Sequence, residues 1–430
     1  MRSWLPRWIY RRQYLWMLVV TAVFACSTSL PSQSQSLSET ARPASAFIDS
    51  VGVVIHLNRT NSAYGNFDNI IKPRLQELGI HHVRDGVKRR DRTTQQKLVD
   101  LAAVGIKSIL VMDPRDQSNA AVAVEIVKAI PTAVEAVEGP NEWDVWGDLT
   151  YQGQPFPEGV RRFQSELYRA IKGDPATATL EVLSPTVAFA NKASQLGAVD
   201  CDYGAMHSYP GGNPPTTDLN RRWLPATALI CPDKPVIATE SGWHNAIASS
   251  SGQPGVSEAA AGKYVPRLCL EYFNRGIRRV YLNELINKWK NNNKEGNFGL
   301  LRQDGSPKPA FVALKNLMAL LQDGTGDFSP GTLSYTMAGD KTNVHHTLLQ
   351  KQDGRFYLML WQEVPSFDLA NKRDISVSPQ AVTIRLDTTI RAATLYRPLE
   401  STTAVAQYNS PRSIDIDVSD APLVIELSPG

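Results

Sequence analysis

The 430-residue chain has few cysteines, no phosphate-binding glycine signature, no long apolar run and almost no surplus charge. Each absence excludes a class. The four cysteines, Cys26, Cys201, Cys231 and Cys269, lack the close pairing of a structural zinc site. Two readings remain for Cys201 and Cys231: a bridge formed in an oxidising compartment, or buried thiols. No G-x-G-x-x-G and no G-x-x-x-x-G-K-[ST] follows an apolar run, so the nucleotide-binding folds lack their signature here. The formal charge of +3 comes from 45 basic and 42 acidic residues. Four of those arginines (Arg2, Arg7, Arg11 and Arg12) crowd the extreme N-terminus, and no acid precedes Glu39. Without residues 1–30 the basic total falls to 41 against 42 acids. Such a chain has no global attraction for nucleic acid.

The longest apolar run, residues 14–25, is too short for a membrane span, which needs about 20 residues. Behind a basic, tryptophan-containing start it has the form of a signal-peptide core. It ends in Val23-Phe24-Ala25-Cys26, which resembles a bacterial lipobox. Three fates stay open: a lipoprotein attached to a membrane through Cys26, ordinary secretion, or an uncleaved anchor. Each implies export, to the bacterial cell envelope or to the periplasmic or extracellular space. The division is thus 1–26 signal, 27–47 flexible Ser/Gln-rich tether, 48–322 first domain and 323–430 second domain.

From residue 50 short β-branched runs alternate with longer amphipathic stretches. Strands are predicted at 51–57, 80–85, 106–113, 134–138, 180–185, 203–208, 235–240 and 279–285, each followed by a helix. Eight such units over about 270 residues match an α/β fold of the (β/α)8, TIM-barrel kind; an open doubly wound sheet is the alternative. After residue 323 short strands separated by turn residues predict a small antiparallel β-sandwich.

In such a barrel, functional groups gather at the C-terminal ends of the strands. Polar residues stand there repeatedly: His56, Arg84, Asp113, Glu142, His207, Glu240 and Glu284. Charges at the ends of apolar strands are costly unless paired or useful. Strand four ends in Glu138-Gly139-Pro140-Asn141-Glu142-Trp143, and strand seven in Thr239-Glu240-Ser241-Gly242-Trp243-His244. Two carboxyls facing each other across a barrel mouth are what cleavage of a glycosidic bond requires, one as acid/base and one as nucleophile.

With Asn141-Glu142 and Glu240 at those positions, the chain resembles clan A of the retaining glycoside hydrolases. Arg84 is similar to the clan's arginine beside the nucleophile, and His207-Ser208-Tyr209 resembles its His-x-Tyr. The segment 298–310 is similar to the one that follows strand eight in such enzymes. The likeness covers roughly residues 50–320 and is nearest to family 39 and related small glycosidases. It implies Glu142 as acid/base, Glu240 as nucleophile, Asn141 on the sugar 2-hydroxyl and Tyr209 on the nucleophile. The chain departs from the pattern at Trp143, where proline is common, and at Asn283-Glu284-Leu285, where a tryptophan often floors the sugar.

Further expected ligand contacts are His56, Asp113, His207, Glu284 and Trp243, with Trp143 and Trp146 as aromatic candidates and Glu138 behind them. For several a structural role competes: a satisfied core histidine for His56, a loop cap for Asp113, an ion pair with Arg84 or Lys288 for Glu284. His345-His346 in the second domain are expected to decorate the surface. The expected partner is a carbohydrate. No cofactor and no metal are required, since a metal-dependent barrel hydrolase would need a His-x-His on strand one and only His56 is there. Rival readings are a transglycosidase using the same residues and a sugar-binding barrel without turnover. The oligomeric state is left open.

Overall fold

The computed structural model describes residues 37–430 except 117–118, 250–251, 291 and 325. The signal and lipobox readings, Cys26 included, and the tether up to residue 36 lie outside the described residues. Among the described residues no helix is long and apolar enough to cross a membrane.

Eight parallel strands form the barrel: Val51–Val54, His82–Gly86, Lys107–Val111, Val134–Glu138, Glu181–Leu183, Gly204–His207, Val236–Ser241 and Arg279–Leu282. They neighbour one another in chain order, and strand eight pairs with strand one. A bridge between Leu183 and Tyr203 joins strand five to the start of strand six. The barrel interior is one apolar cluster of Val54, Ile109, Ala136, Leu183, Ala205, Ile237 and Tyr281, taken from every strand but the second. Strand two instead turns Arg84 inward. Gly52 is required by the packing: a Cβ there would lie 2.6 Å from the Tyr281 ring.

The outer helices bury their periodic apolar faces, as in Glu158–Gly173 with Val160, Phe163, Leu167 and Ile171. The expected helix after strand five is reduced to one short piece, Ala193–Leu196. A disulfide joins Cys201 to Cys231, which removes the buried-thiol reading; Cys269 is a buried thiol.

The second domain packs a four-stranded sheet on a six-stranded one. In its central strand, Phe356–Gln362, Leu358 and Leu360 enter the sandwich core while Tyr357, Met359 and Trp361 join the barrel's core. Two-sided burial makes the whole strand apolar. The barrel helix Glu258–Asn274 lies against it. Its buried Arg267 pairs with Glu363 at 2.8 Å and donates to the Val364 carbonyl at 3.0 Å. Glu271 of the same helix accepts from Trp361 Nε1 at 3.0 Å and from His345 Nδ1 at 2.5 Å. His346 pairs with Glu39 at 3.0 Å. The two histidines are therefore bracing contacts, not surface decoration.

The tether expectation fails from residue 37 onward. Leu37–Thr40 pairs antiparallel with Thr332–Gly339, and Arg42–Pro43 runs parallel to Val344–Gln350. These residues extend an edge of each sheet before the helix Ala44–Asp49 leads into the barrel. Edge pairing uses backbone groups, so a polar composition does not reveal it.

Candidate active site

Arg84 organises the barrel mouth. Its guanidinium is nearly buried and grips Glu138 through Nε at 2.6 Å and Nη2 at 3.0 Å. Nη1 donates to Glu240 Oε1 at 2.7 Å, and Nη2 also donates to Asn141 Oδ1 at 2.7 Å. Glu138 is fully buried and takes a third hydrogen bond from Thr239 Oγ1 at 3.1 Å. Burial alone would lower the arginine's pKa, but the charges of Glu138 and Glu240 outweigh it and raise it further. Glu138 thus holds Arg84 and does not meet solvent.

Thr239 and Glu240 are consecutive, yet both point into the barrel. Simple alternation would send them to opposite faces. A register shift lies between strand seven and both neighbours, with Met206 and His207 opposite Ala238 and Glu240. The extra residue re-aims the carboxylate, as bulges beside functional sites do.

Glu240 Oε2 accepts the Tyr209 hydroxyl at 2.5 Å, and Asn283 Nδ2 donates to that hydroxyl at 2.7 Å. Burial pushes Glu240 up, but the His207 and Arg84 charges and the Tyr209 hydrogen bond hold it down at about 2. It is a carboxylate at any physiological pH.

Glu142 sits across the mouth in the left-handed region, at φ 50° and ψ 46°. A non-glycine residue there is strained by roughly 1 kcal/mol or more and is held only by its surroundings. Those are visible. Its amide donates to the Thr186 carbonyl at 3.1 Å. Asp113 takes the Asn141 amide at 3.0 Å, Trp143 Nε1 at 3.2 Å and Arg115 Nε at 2.8 Å. Gly139 lets Gln164 approach, since a Cβ there would be 2.1 Å from Oε1. His207 Nδ1 is hydrogen-bonded to Glu142 Oε1 at 2.6 Å and lies 3.7 Å from Glu240 Oε2. Burial lowers the His207 pKa, and the Glu240 and Glu142 charges more than restore it, so the net shift is upward.

One ligand atom each from Glu142, His207 and Glu240 falls within a mutual 4.8 Å. That spacing could be read as a metal site. However, two ligands of a tetrahedral zinc lie about 3.3 Å apart, given bonds of about 2.0–2.1 Å. The 2.6 Å between His207 and Glu142 is a hydrogen bond instead.

Several expected ligand contacts are corrected, His207 among them: its ring is buried against Glu142 and positions that carboxyl. Trp243 is buried: the chain turns at Gly242, with φ 144°, and the indole packs 5.1 Å from Tyr264 and donates to the Asn213 carbonyl at 3.0 Å. Asp113 is buried under its own donors and positions the Asn141-Glu142 loop. Glu284 is wholly buried behind His56, taking the Tyr64 hydroxyl at 3.0 Å and pairing with Lys288 at 3.1 Å. Burial pushes Glu284 up to about 7, with Lys288 opposing. His56 lies 3.4 Å from Glu284 and stays partly exposed. Burial and then Lys288 and Arg59 lower its pKa to about 3, so it is a neutral imidazole. Trp143 is buried as well, whereas Trp146 is exposed. Sequence reasoning missed Asn283, Thr239 and Tyr64.

This combination of barrel and sandwich has counterparts among solved structures. A monomeric β-xylosidase from Caulobacter crescentus CB15 superposes with a TM-score of 0.61 at 15% identity, over 91% of this chain and 98% of that one. A family 39 glycoside hydrolase from Bacteroides cellulosilyticus WH2 gives 0.60 at 15% identity, over 90% and 81%. The endo-β1,6-glucanase BT3312 gives 0.51 at 11% identity, over 93% of each chain. The shared property is the fold. It is a TIM barrel followed by a β-sandwich. No protein-family model matches the chain, and no curated protein does.

Proposed function

We propose that this protein is a retaining glycoside hydrolase that cleaves O-glycosidic bonds of a poly- or oligosaccharide by double displacement. The observation that carries the reading is the carboxylate pair: oxygens of Glu142 and Glu240 within 4.8 Å, with Glu240 held ionised. Retaining enzymes separate their carboxyls by about 5–5.5 Å, inverting ones by about 6.5–9.5 Å to admit a water.

Glu240 attacks the anomeric carbon while Glu142 gives its proton to the departing oxygen. His207 is hydrogen-bonded to Oε1 of Glu142, which leaves Oε2 to face the departing oxygen. As the glycosyl ester forms, charge leaves Glu240, and Glu142, now ionised, removes a proton from the water that opens the ester. Asn141, its Oδ1 fixed by Arg84, turns its amide hydrogens toward the sugar 2-hydroxyl. His56 offers a neutral nitrogen to another hydroxyl. A transglycosidase would use the same groups and differ in the acceptor. Export to the cell envelope or beyond, with or without a lipid on Cys26, belongs to the same reading; the Cys201–Cys231 disulfide supports an oxidising compartment.

The test is incubation with a panel of aryl glycosides and polysaccharides, with the first-formed anomer read by proton NMR. Turnover with retained configuration supports the proposal. Inverted product overturns the mechanism. Binding without turnover across the panel favours a sugar-binding barrel.

A further inference from the structure

Exposed apolar side chains are unevenly spread. Among the described residues six large ones stand out in solvent, and three of them, Val145, Trp146 and Phe189, belong to the loops after barrel strands four and five. Trp146 and Phe189 are each 50% exposed.

These loops are fastened together. Asn141 bridges Thr186, and the Thr186 amide donates to the Pro140 carbonyl at 3.1 Å. Asp144 then accepts the amides of Ala188 and Phe189, both at 2.9 Å. Trp146 follows the short turn Trp143–Val145, and its amide donates to the Trp143 carbonyl at 3.2 Å. Trp143 is anchored on Asp113. Both exposed rings are thus carried on hydrogen-bonded backbone immediately beside Glu142. Singly exposed apolar residues are ordinary, whereas exposed aromatics gathered on adjoining loops mark a binding surface.

The neighbour identifies the occupant. On the glycosidase reading, on which this inference rests, Glu142 protonates the departing oxygen. What lies on its side is therefore the leaving-group part of the glycan. The C–H-rich face of a pyranose packs on an aromatic ring. We infer that Trp146 and Phe189 form an aromatic platform for the sugar on the leaving-group side of the scissile bond. The preferred substrate then continues past that bond instead of ending at it.

The test compares each substrate with its glycosyl fluoride, which has no sugar on the leaving-group side. Wild type, Trp146→Ala/Phe189→Ala and Leu229→Ala are assayed on β-xylosyl and β-glucosyl fluoride and on xylo-, cello-, laminari- and gentiotetraose. The platform predicts that kcat/KM on the cleaved tetrasaccharide, taken relative to the fluoride, falls at least about tenfold in the double variant. Leu229→Ala, an equally exposed apolar site on the helix Leu224–Ile230, keeps the wild-type ratio. An unchanged ratio in the double variant overturns the inference. If wild type turns over none of these substrates but does turn over another glycan of the wider panel, the comparison moves to that glycan and its fluoride; if it turns over none of the panel, the glycosidase reading fails first. The platform is then judged from tetrasaccharide affinity by calorimetry, in the Glu142→Gln protein with and without the two alanines. A loss of about tenfold sustains it; equal affinity, or no binding by either protein, rejects it.

Discussion

Removing the Tyr209 hydroxyl probes how Glu240 is kept ionised. Tyr209→Phe deletes the 2.5 Å hydrogen bond to Oε2 and leaves the ring, which packs 5.5 Å from Phe298. A hydrogen bond to a charged acceptor contributes about 1.5–3 kcal/mol. At about 1.4 kcal/mol per pKa unit, its loss raises the Glu240 pKa by about one to two units. Starting from about 2, the variant's carboxylate titrates near pH 3–4 on that scale. The sign follows from the chemistry. Protonated Glu240 cannot attack, so activity falls as pH drops through its pKa, and a raised pKa moves that fall upward. The assay is kcat/KM on a dinitrophenyl glycoside, whose leaving group needs no proton, so that Glu142 adds no limb of its own. Between about pH 3 and 6 the wild type should be flat and the variant should bend downward on the acid side. Asn283→Ala, which removes the donor behind Tyr209, should give a smaller shift in the same direction. A Tyr209→Phe protein with a native melt and a flat acid side would refute this account of the nucleophile.

Other substitutions separate the roles. Glu142→Gln should cost about 10²–10⁴ in kcat/KM on glycosides with poor leaving groups and far less on dinitrophenyl glycosides, a contrast that a merely structural glutamate would not produce. Arg267→Ala leaves Glu363 buried without its partner between barrel and sandwich and should destabilise the fold by about 3–5 kcal/mol in urea melts. The pair Arg267→Met/Glu363→Leu should recover part of that. Glu284, pushed up to about 7, stabilises the fold most while protonated. That contribution is complete below the ordinary carboxylate range and fades as pH rises through about 7. Glu284→Gln should therefore flatten the fall in melting temperature between about pH 5 and 8, and a fall as steep as the wild type's would count against a protonated Glu284.

Much of the barrel was legible because its strands are short apolar runs that end in polar residues, and all eight lie where the alternation put them. The convergence of Arg84, Asn141, Glu142, His207, Tyr209 and Glu240 could be anticipated because each closes or follows a strand. What the sequence hid were orientations. Trp243 and Trp146 read alike as aromatics near a mouth, but the turn at Gly242 sends one into the core. Asp113 looks like a ligand group at a strand end until the amides that saturate it are seen. The bulge that turns both Thr239 and Glu240 inward breaks the two-residue period and leaves no mark in composition. Residues 37–43 read as tether because edge pairing is a backbone matter. The partners of Glu284, namely Tyr64 and Lys288, come from a separate loop and a position four residues on, and only one of them could be guessed by spacing.

The most direct measurement is covalent trapping. Residues 36–430 would be incubated with the 2-deoxy-2-fluoro glycosyl fluoride of whichever sugar is turned over, then digested and sequenced by mass spectrometry. Double displacement through this site predicts inactivation with one fluoroglycosyl group per chain, carried on Glu240 and absent from Glu240→Ala. Labelling at Glu142 or Glu284, or turnover that proceeds with no trapped ester, would contradict it.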